Sequence, residues 1–326
     1  MKTSLLDAAA ESTAIAQAAR LLRAGQVVAF PTETVYGLGA DAFNPDAVAQ
    51  VFRAKGRPSD NPLIVHLTTP AEFERCAFLS PRAERLIEKL MPGPLTLVLP
   101  ARPEIPAIVR AGLPTVAVRM PDHPVANQLL RASGPLVAPS ANTSGRPSPT
   151  TAQHVLDDLS GRIAAVLDGG PCRLGIESTV IDLSGDAPVL LRAGAVSPEA
   201  VAELLGERVV RSSAHAETPR SPGMKYRHYA PNIPIQLVVG QVPLLVADGT
   251  RRLILTTAGP GRSSNELRVE PLLESTFYQL LRQAEDEAID EIIIHLTSIT
   301  AISAGLLDRV MKAAGESWQS SVVSSQ

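Results

Sequence analysis

The sequence predicts an α/β protein with two domains in succession, and three observations carry that prediction. Short apolar runs bounded by proline and glycine alternate with amphipathic stretches of helical period along almost the whole chain. At 326 residues the chain is long enough for two separate cores. Near residue 211 the apolar periodicity stops, resuming only after a polar, proline-bounded interval. The expected boundaries are therefore 1–210 for a first domain, 211–231 for a linker and 232–326 for a second domain.

Taken in order, residues 12–24 read as a helix, with Ile15, Ala18, Ala19 and Leu22 on one face and Gly25 ending it. Val27 to Phe30 is a buried strand broken by Pro31. The loop Pro31-Thr-Glu-Thr-Val-Tyr-Gly-Leu-Gly39 leaves it with small hydroxyls and two glycines. Asn44 caps a helix over 45–54, with Pro45 in its first turn. Strands follow at 63–67, 95–99, 115–119, 136–138, 164–167, 178–183 and 188–192. Between them lie helices over 70–76, 81–90, 122–132, 150–159 and, capped by Ser197, up to 205. In the second domain, strands at 235–239, 252–256 and 291–296 alternate with helices over 271–288 and 302–314. That alternation predicts a small parallel sheet flanked by helices, with Leu272, Leu273, Leu280, Leu281, Ala284 and Ala288 inward on the first of them. The serine-rich tail beyond Trp318 reads as frayed.

Composition narrows the function classes. Aromatic residues are 3% of a chain that is 45% hydrophobic, so the cores are aliphatic. A net charge of −3 gives no global cationic field for non-specific nucleic-acid binding, though a local basic pocket is still allowed. Cys76 and Cys172 are the only cysteines and lack metal-ligand spacing, which fits a reducing compartment. Asp7 and Glu11 stand where a signal peptide needs an apolar core, and no apolar run is long enough to cross a membrane. These features predict a cytoplasmic protein with no membrane partner.

The most informative stretch is Arg53-Ala-Lys-Gly-Arg-Pro-Ser-Asp-Asn-Pro-Leu-Ile-Val-His66. Gly56, Pro58 and Pro62 force a shaped loop, and Arg53, Lys55 and Arg57 crowd it with cations that repel unless an anion sits among them. Lysine offers a point charge and arginine a planar fork, a pair suited to phosphate oxygens. A solvated surface loop is the plainer alternative for any basic triplet. Other candidates are weaker singly. Ser140 and Asn142 follow a short strand, and serine and asparagine also suit any turn. Arg119 ends a strand and could grip a carboxylate. His66 on an apolar strand reads by default as a packed core histidine. Glu177-Ser-Thr179 and Arg192 stand at the start and end of successive strands. Together they place many polar groups at the strand ends of one sheet, where open α/β sheets bind ligands. No Gly-x-x-x-x-Gly-Lys-Ser/Thr loop and no Gly-x-Gly-x-x-Gly fingerprint is present.

Six motifs then converge in one order: Pro31 to Gly39; Lys55-x-Arg57 with Asp60 to His66; Pro92-Gly-Pro-Leu-Thr96; Val116 to Pro121; Ala138-Pro-Ser-Ala-Asn142; and Glu177-Ser-Thr179. In this order they resemble the YrdC-type threonylcarbamoyl-AMP synthases. Ser221 to Pro231 is similar to the linker of the long, two-domain form, and Gly305 to Ala314 to its C-terminal helix. The resemblance implies an open, twisted α/β sheet with a concave pocket, followed by a smaller Rossmann-like domain. It implies formation of threonylcarbamoyl-AMP and pyrophosphate from L-threonine, bicarbonate and ATP, with Mg2+ carried on the phosphates and no protein side chains identified as metal ligands. A downstream complex would pass the threonylcarbamoyl group to the adenosine beside the anticodon of tRNA; direct tRNA binding is left open.

Carried over by position, Lys55, Arg57, Ser140 and Asn142 are expected around the phosphates. Arg57, Asn61, Thr115, Ala138, Ser140, Ser148 and Arg192 are expected at the nucleotide, and Thr34, His66, Arg119 and Ser178 at threonine. Tyr226, in a linker segment rich in aromatic and basic residues, is expected against the nucleotide as part of a lid; a static strap between domains is the alternative. Rival readings are an RNA-binding or regulatory module without turnover and a carbamoyl-adenylate domain of hydrogenase maturation. The first is disfavoured by the charge and aromatic content, the second by the missing cysteine pairs of its zinc module.

Overall fold

The computed structural model describes residues 2–9, 13–211, 229–241, 248–259, 263–264 and 266–315, and the backbone of 318–320. The chain forms two compact units, Met1–Ser144 with Ser148–Lys225, and Gly145–Pro147 with Tyr226–Gln326.

In chain order the first unit holds β1 (Ser4–Asp7), α1 (Ala14–Arg23), β2 (Val28–Phe30), β3 (Gly37–Asp41), α2 (Pro45–Lys55), β4 (Ile64–His66), α3 (Pro70–Cys76), α4 (Pro81–Leu90) and β5 (Leu95–Pro100). It continues with β6 (Thr115–Arg119), α5 (Pro124–Ser133), β7 (Leu136–Val137), α6 (Ala152–Leu159), β8 (Ala165–Asp168), β9 (Thr179–Asp182), β10 (Val189–Arg192), α7 (Pro198–Leu205) and β11 (Val210–Arg211). The strands make one mixed sheet in the order β1-β8-β2-β3-β7-β4-β6-β5-β9-β10-β11. The helix starts follow local chemistry. The Asn44 side chain accepts from the backbone N–H of Asp46 and Ala47, Ser80 and Ser197 cap α4 and α7, and proline occupies the first turn of each of these three helices.

Strand alternation gives the sheet two different faces. Val65, Leu97, Leu99, Val118, Val137 and Ile181 share the main core with apolar residues of α2, α3, α4, α6 and α7. On the opposite face, α1 and α5 cover Leu6, Val28, Phe30, Leu136, Ala138, Ala165 and Leu167. The other half of that face carries a small separate cluster, Ile64, Val98, Ala117 and Val180. By alternation His66, Thr96, Thr115 and Arg119 lie on the same side as this cluster, so an aliphatic floor is bordered by polar side chains.

The second unit holds β12 (Ile235–Val239), β13 (Arg252–Thr256), β14 (Leu267–Pro271), α8 (Glu274–Asp286), β15 (Glu291–Leu296), α9 (Ala304–Ala314) and β16 (Trp318–Ser320). Its sheet has the order β14-β13-β15-β12-β16, and every pairing is parallel. Tyr229 stacks on Tyr278 with ring centroids 5.5 Å apart, and the Arg309 guanidinium lies 5.3 Å from the Tyr229 ring centre. No described helix is long and apolar enough to cross a membrane.

Several expectations need correcting. Pro31 to Gly39 is not loop throughout, because Gly37 opens β3. A Cβ on Gly39 would stand 2.9 Å from the Phe30 ring, so this glycine serves close packing of neighbouring strands. Strands β1, β14 and β16 were not foreseen, and the tail expected to fray at Trp318 is paired with β12 as far as Ser320. Leu273 and Ala288, expected inward, are exposed because α8 is shorter than its pattern: Leu273 is its N-cap and Ala288 lies beyond its end.

Candidate active site

The basic triplet does not act as one loop. Arg53 and Lys55 end α2, and Gly56, at φ 61°, turns the chain before Arg57. Arg53 is exposed, whereas Lys55 is 2% exposed. Lys55 Nζ donates to the carbonyl oxygen of Ser140, to that of Asn142 at 2.6 Å and to Asn142 Oδ1 at 3.3 Å. The backbone N–H of Ser144 returns a bond to the Lys55 carbonyl at 2.9 Å. The loop Pro139–Ser144 is thus wrapped around one ammonium. Arg57 Nη2 donates to the carbonyls of Asn61 and Pro62 at 3.3 and 3.2 Å, which closes the proline loop on itself. Asn61 is fully buried, and neither its Nδ2 nor its Oδ1 finds a partner among the described residues. A buried carboxamide with both ends unsatisfied costs roughly 1–3 kcal/mol per group and is expected where a ligand completes the set.

A second centre lies where β4 and β6 run side by side. His66 and Arg119 are direct partners in this parallel pair. Arg119, 4% exposed, donates through Nη2 to Glu33 Oε1 at 2.5 Å and through Nη1 to Thr34 Oγ1 at 3.0 Å. Glu33 Oε2 and Arg119 Nε are both buried and find no partner among the described residues. The guanidinium expected to grip a carboxylate is therefore already half engaged by one of its own chain. His66 Nδ1 lies 3.2 Å from the Ile64 carbonyl. Burial, helped by the Arg119 charge, holds the imidazole near a pKa of about 3, so it is neutral at ordinary pH.

The third group joins β5, β9 and β10. Ser178 Oγ lies 2.8 Å from Thr96 Oγ1, and Arg192 donates to the Ser178 carbonyl and hydroxyl, each at 3.1 Å. Ser148 Oγ donates to Glu177 Oε1 at 2.5 Å. The Glu33–Tyr36 segment ties the groups together. Leu174 and Gly175 donate backbone N–H bonds to the Glu33 and Thr34 carbonyls, Ala141 donates to the Tyr36 carbonyl, and Tyr36 donates to that of Pro149. Lys55 and Arg119 thus belong to one network within the first unit.

Two family models match the chain. One, described as "Telomere recombination" and named for Sua5, YciO and YrdC, covers residues 20–194; the other, described as "Threonylcarbamoyl-AMP synthase, C-terminal domain", covers 196–315. The threonylcarbamoyl-AMP synthase of Bacillus subtilis is 46% identical across 92% of this chain and 93% of its own length. That of Pyrococcus abyssi is 40% identical across 91% and 93%. The crystal structure of P. abyssi Sua5 complexed with L-threonine matches with a TM-score of 0.88 at 38% identity, covering 98% of this chain and 99% of that one. The chain belongs to the Sua5/YrdC-type threonylcarbamoyl-AMP synthases.

Membership in this synthase family bears on the remaining candidates. Ala138 donates its N–H to the carbonyl of Ile64, a floor residue, at 2.9 Å, and Ser140 bridges to Gly37 of β3. Thr115 opens β6 on the same side as Ala117 and Arg119. Tyr226 and the rest of the linker up to 228 lie outside the described residues. Among the described residues no group of three or more His, Cys, Asp or Glu could hold a metal ion. Glu33 and Thr96 were quoted in the sequence motifs but given no role. The signal that could have raised Glu33 is a carboxylate inside an otherwise neutral hydroxyl-rich loop; its arginine partner is 86 positions away, and only the fold reveals it.

Proposed function

We propose that this synthase converts L-threonine, bicarbonate and MgATP into threonylcarbamoyl-AMP and pyrophosphate, the first being passed on by a downstream tRNA-modifying complex in the cytoplasm. The observation that carries the reading is the network joining buried Lys55, clasped by the Ser140 and Asn142 carbonyls, to buried Arg119 through one loop. Threonine's ammonium and bicarbonate combine as a carbamate, releasing water and a proton. A carbamate oxygen then bonds to the α-phosphorus of ATP while the bond from that phosphorus to the β-phosphate oxygen breaks, and pyrophosphate leaves.

Both reactants are anions, so the work of the site is alignment and charge neutralisation. Lys55, Arg57, Ser140 and Asn142 are assigned to the phosphates, and magnesium arrives as part of the MgATP substrate. Asn61, Thr115, Ser148, Arg192 and the backbone of Ala138 are assigned to the rest of the nucleotide. Asn61's two unsatisfied amide atoms fit the donor and acceptor edge of a base. Arg119, Thr34, His66 and Ser178 are assigned to threonine, whose hydroxyl is expected to separate it from valine. Incubation with all three substrates should release pyrophosphate, and omission of threonine or bicarbonate should abolish that release. Pyrophosphate release that ignores threonine would refute the assignment.

A further inference from the structure

We propose that Glu33 and Arg119 together hold the zwitterionic head of the amino acid, Arg119 Nε donating to its α-carboxylate and Glu33 Oε2 accepting from its α-ammonium. Glu33 is then a further substrate-binding and specificity-determining residue. The proposal rests on the assignment of this end of the site to threonine.

A carboxylate and a guanidinium can make two parallel bonds, and this pair makes one. The donor and acceptor left over, Arg119 Nε and Glu33 Oε2, are both buried and unpartnered among the described residues, although Glu33 is 1% and Arg119 4% exposed. Each such atom costs roughly 1–3 kcal/mol, and native interiors rarely keep two within one ion pair without a use. An α-amino acid carries a cationic donor and an anionic acceptor on one carbon, a few ångströms apart. One ligand can therefore satisfy both orphaned atoms while the Nη2–Oε1 bond stays in place.

Charge favours the same ligand. A lone buried arginine would take any anion, but an arginine already neutralised by Glu33 is matched to a ligand without net charge. The frame is fixed: Thr34 Oγ1 occupies Arg119 Nη1 at 3.0 Å, and Leu174 donates its N–H to the Glu33 carbonyl at 2.8 Å. The contact also survives the first chemical step, since a carbamate nitrogen keeps one N–H that can donate to Glu33 Oε2.

The test is calorimetry on the full chain, comparing L-threonine with its analogue bearing a hydroxyl in place of the amine, in the wild type and in Glu33→Gln. Loss of one charge-assisted bond should weaken threonine by about 10- to 100-fold and leave the hydroxy acid no weaker, since Arg119 without its carboxylate partner attracts that anion more strongly. Equal weakening of both ligands, or of neither, overturns the proposal, because Glu33 would then act only by placing Arg119. A wild type that binds no threonine instead overturns the assignment of the site. Because Glu33→Gln leaves a buried cation uncompensated and could unfold the unit, Glu33→Asp is the companion. It keeps the charge but withdraws the carboxylate by one methylene, so threonine should lose its advantage over the hydroxy acid; an unchanged advantage also overturns the proposal.

Discussion

Lys55 and Arg119 are both buried cations of one network, yet they are held in opposite ways. Lys55 is oriented by neutral oxygens, the carbonyls of Ser140 and Asn142 and the Asn142 side chain. Arg119 is held by the Glu33 carboxylate and a threonine hydroxyl. Carbonyls aim an ammonium in fixed directions, which suits the alignment of a ligand carrying several phosphate oxygens. A carboxylate cancels the guanidinium and leaves directional donors, which suits a neutral ligand of fixed shape. The partner of a buried cation thus says more about its ligand than the cation does.

The largest effect should come from the first of the two. Lys55→Met keeps the buried stem and removes the charge. Turnover, followed as pyrophosphate release, should drop by about 1,000-fold, the upper end for loss of one preorganised charge at a reacting centre. Threonine affinity should stay within a few-fold. A variant with near-normal turnover would break the comparison at its first term.

Arg119→Lys should be milder and of a different kind. The charge stays, but the planar fork is lost, so threonine should bind about 10- to 100-fold more weakly while ATP affinity changes little. Equal weakening of both ligands would make Arg119 a structural residue and erase the contrast.

How far this was legible in the sequence differs between the two centres. Lys55 stood out because a basic triplet beside prolines signals a shaped anion site, whereas Ser140 and Asn142 suit any turn and joined it only through the order of the family's motifs. The partnership of β4 and β6 could be guessed from two apolar runs, and His66 does pair with Arg119. The assignment of Lys55 to a loop failed because proline and glycine mark the end of a helix as readily as a loop. Gly56 caps α2 one residue after the lysine, which puts Lys55 on a rigid helix and Arg53 on the outside. Strand β3 was missed because Gly37 and Gly39 have low strand propensity, and only their fit against Phe30 and Ala138 explains them. Glu33 was passed over because an ion pair 86 positions apart leaves no local pattern.

Gly194→Ala probes how firmly the Ser178 and Arg192 edge of the site is held. An added Cβ would lie 2.4 Å from the Thr179 backbone nitrogen and 2.5 Å from the Glu177 carbonyl oxygen, atoms that cannot swing aside. Overpacking of this kind should cost about 2–3 kcal/mol in urea unfolding and should shift Ser178 together with its partner Arg192, weakening both threonine and ATP. Gly185→Ala, where a Cβ meets nothing within 4 Å, is the matched control and should be silent. Two equally harmless variants would mean that this edge of the sheet yields easily and does not fix the site.

The smallest expected effect tests whether Glu33 truly cancels Arg119. His66 is held neutral, with a pKa lowered to about 3, by burial first and the Arg119 charge second. An unfolded histidine titrates near 6.5. As pH falls below that value the unfolded chain takes up a proton that the folded chain refuses until about pH 3. Stability from this group is therefore complete above about pH 6.5 and is lost as pH falls, by about 1.4 kcal/mol per unit. Between pH 6.5 and 5 the wild type should lose about 2 kcal/mol more than His66→Asn in urea unfolding; equal losses would mean that the imidazole protonates freely. Adding Arg119→Met then sharpens the contrast between the two cations. If the guanidinium is felt at the imidazole despite Glu33, removing it raises the folded pKa, and in a series carried down to about pH 3 the loss levels off at a higher pH than in the wild type. If Glu33 cancels it, the two series level off together on burial alone, and Arg119 behaves as half of a neutral pair.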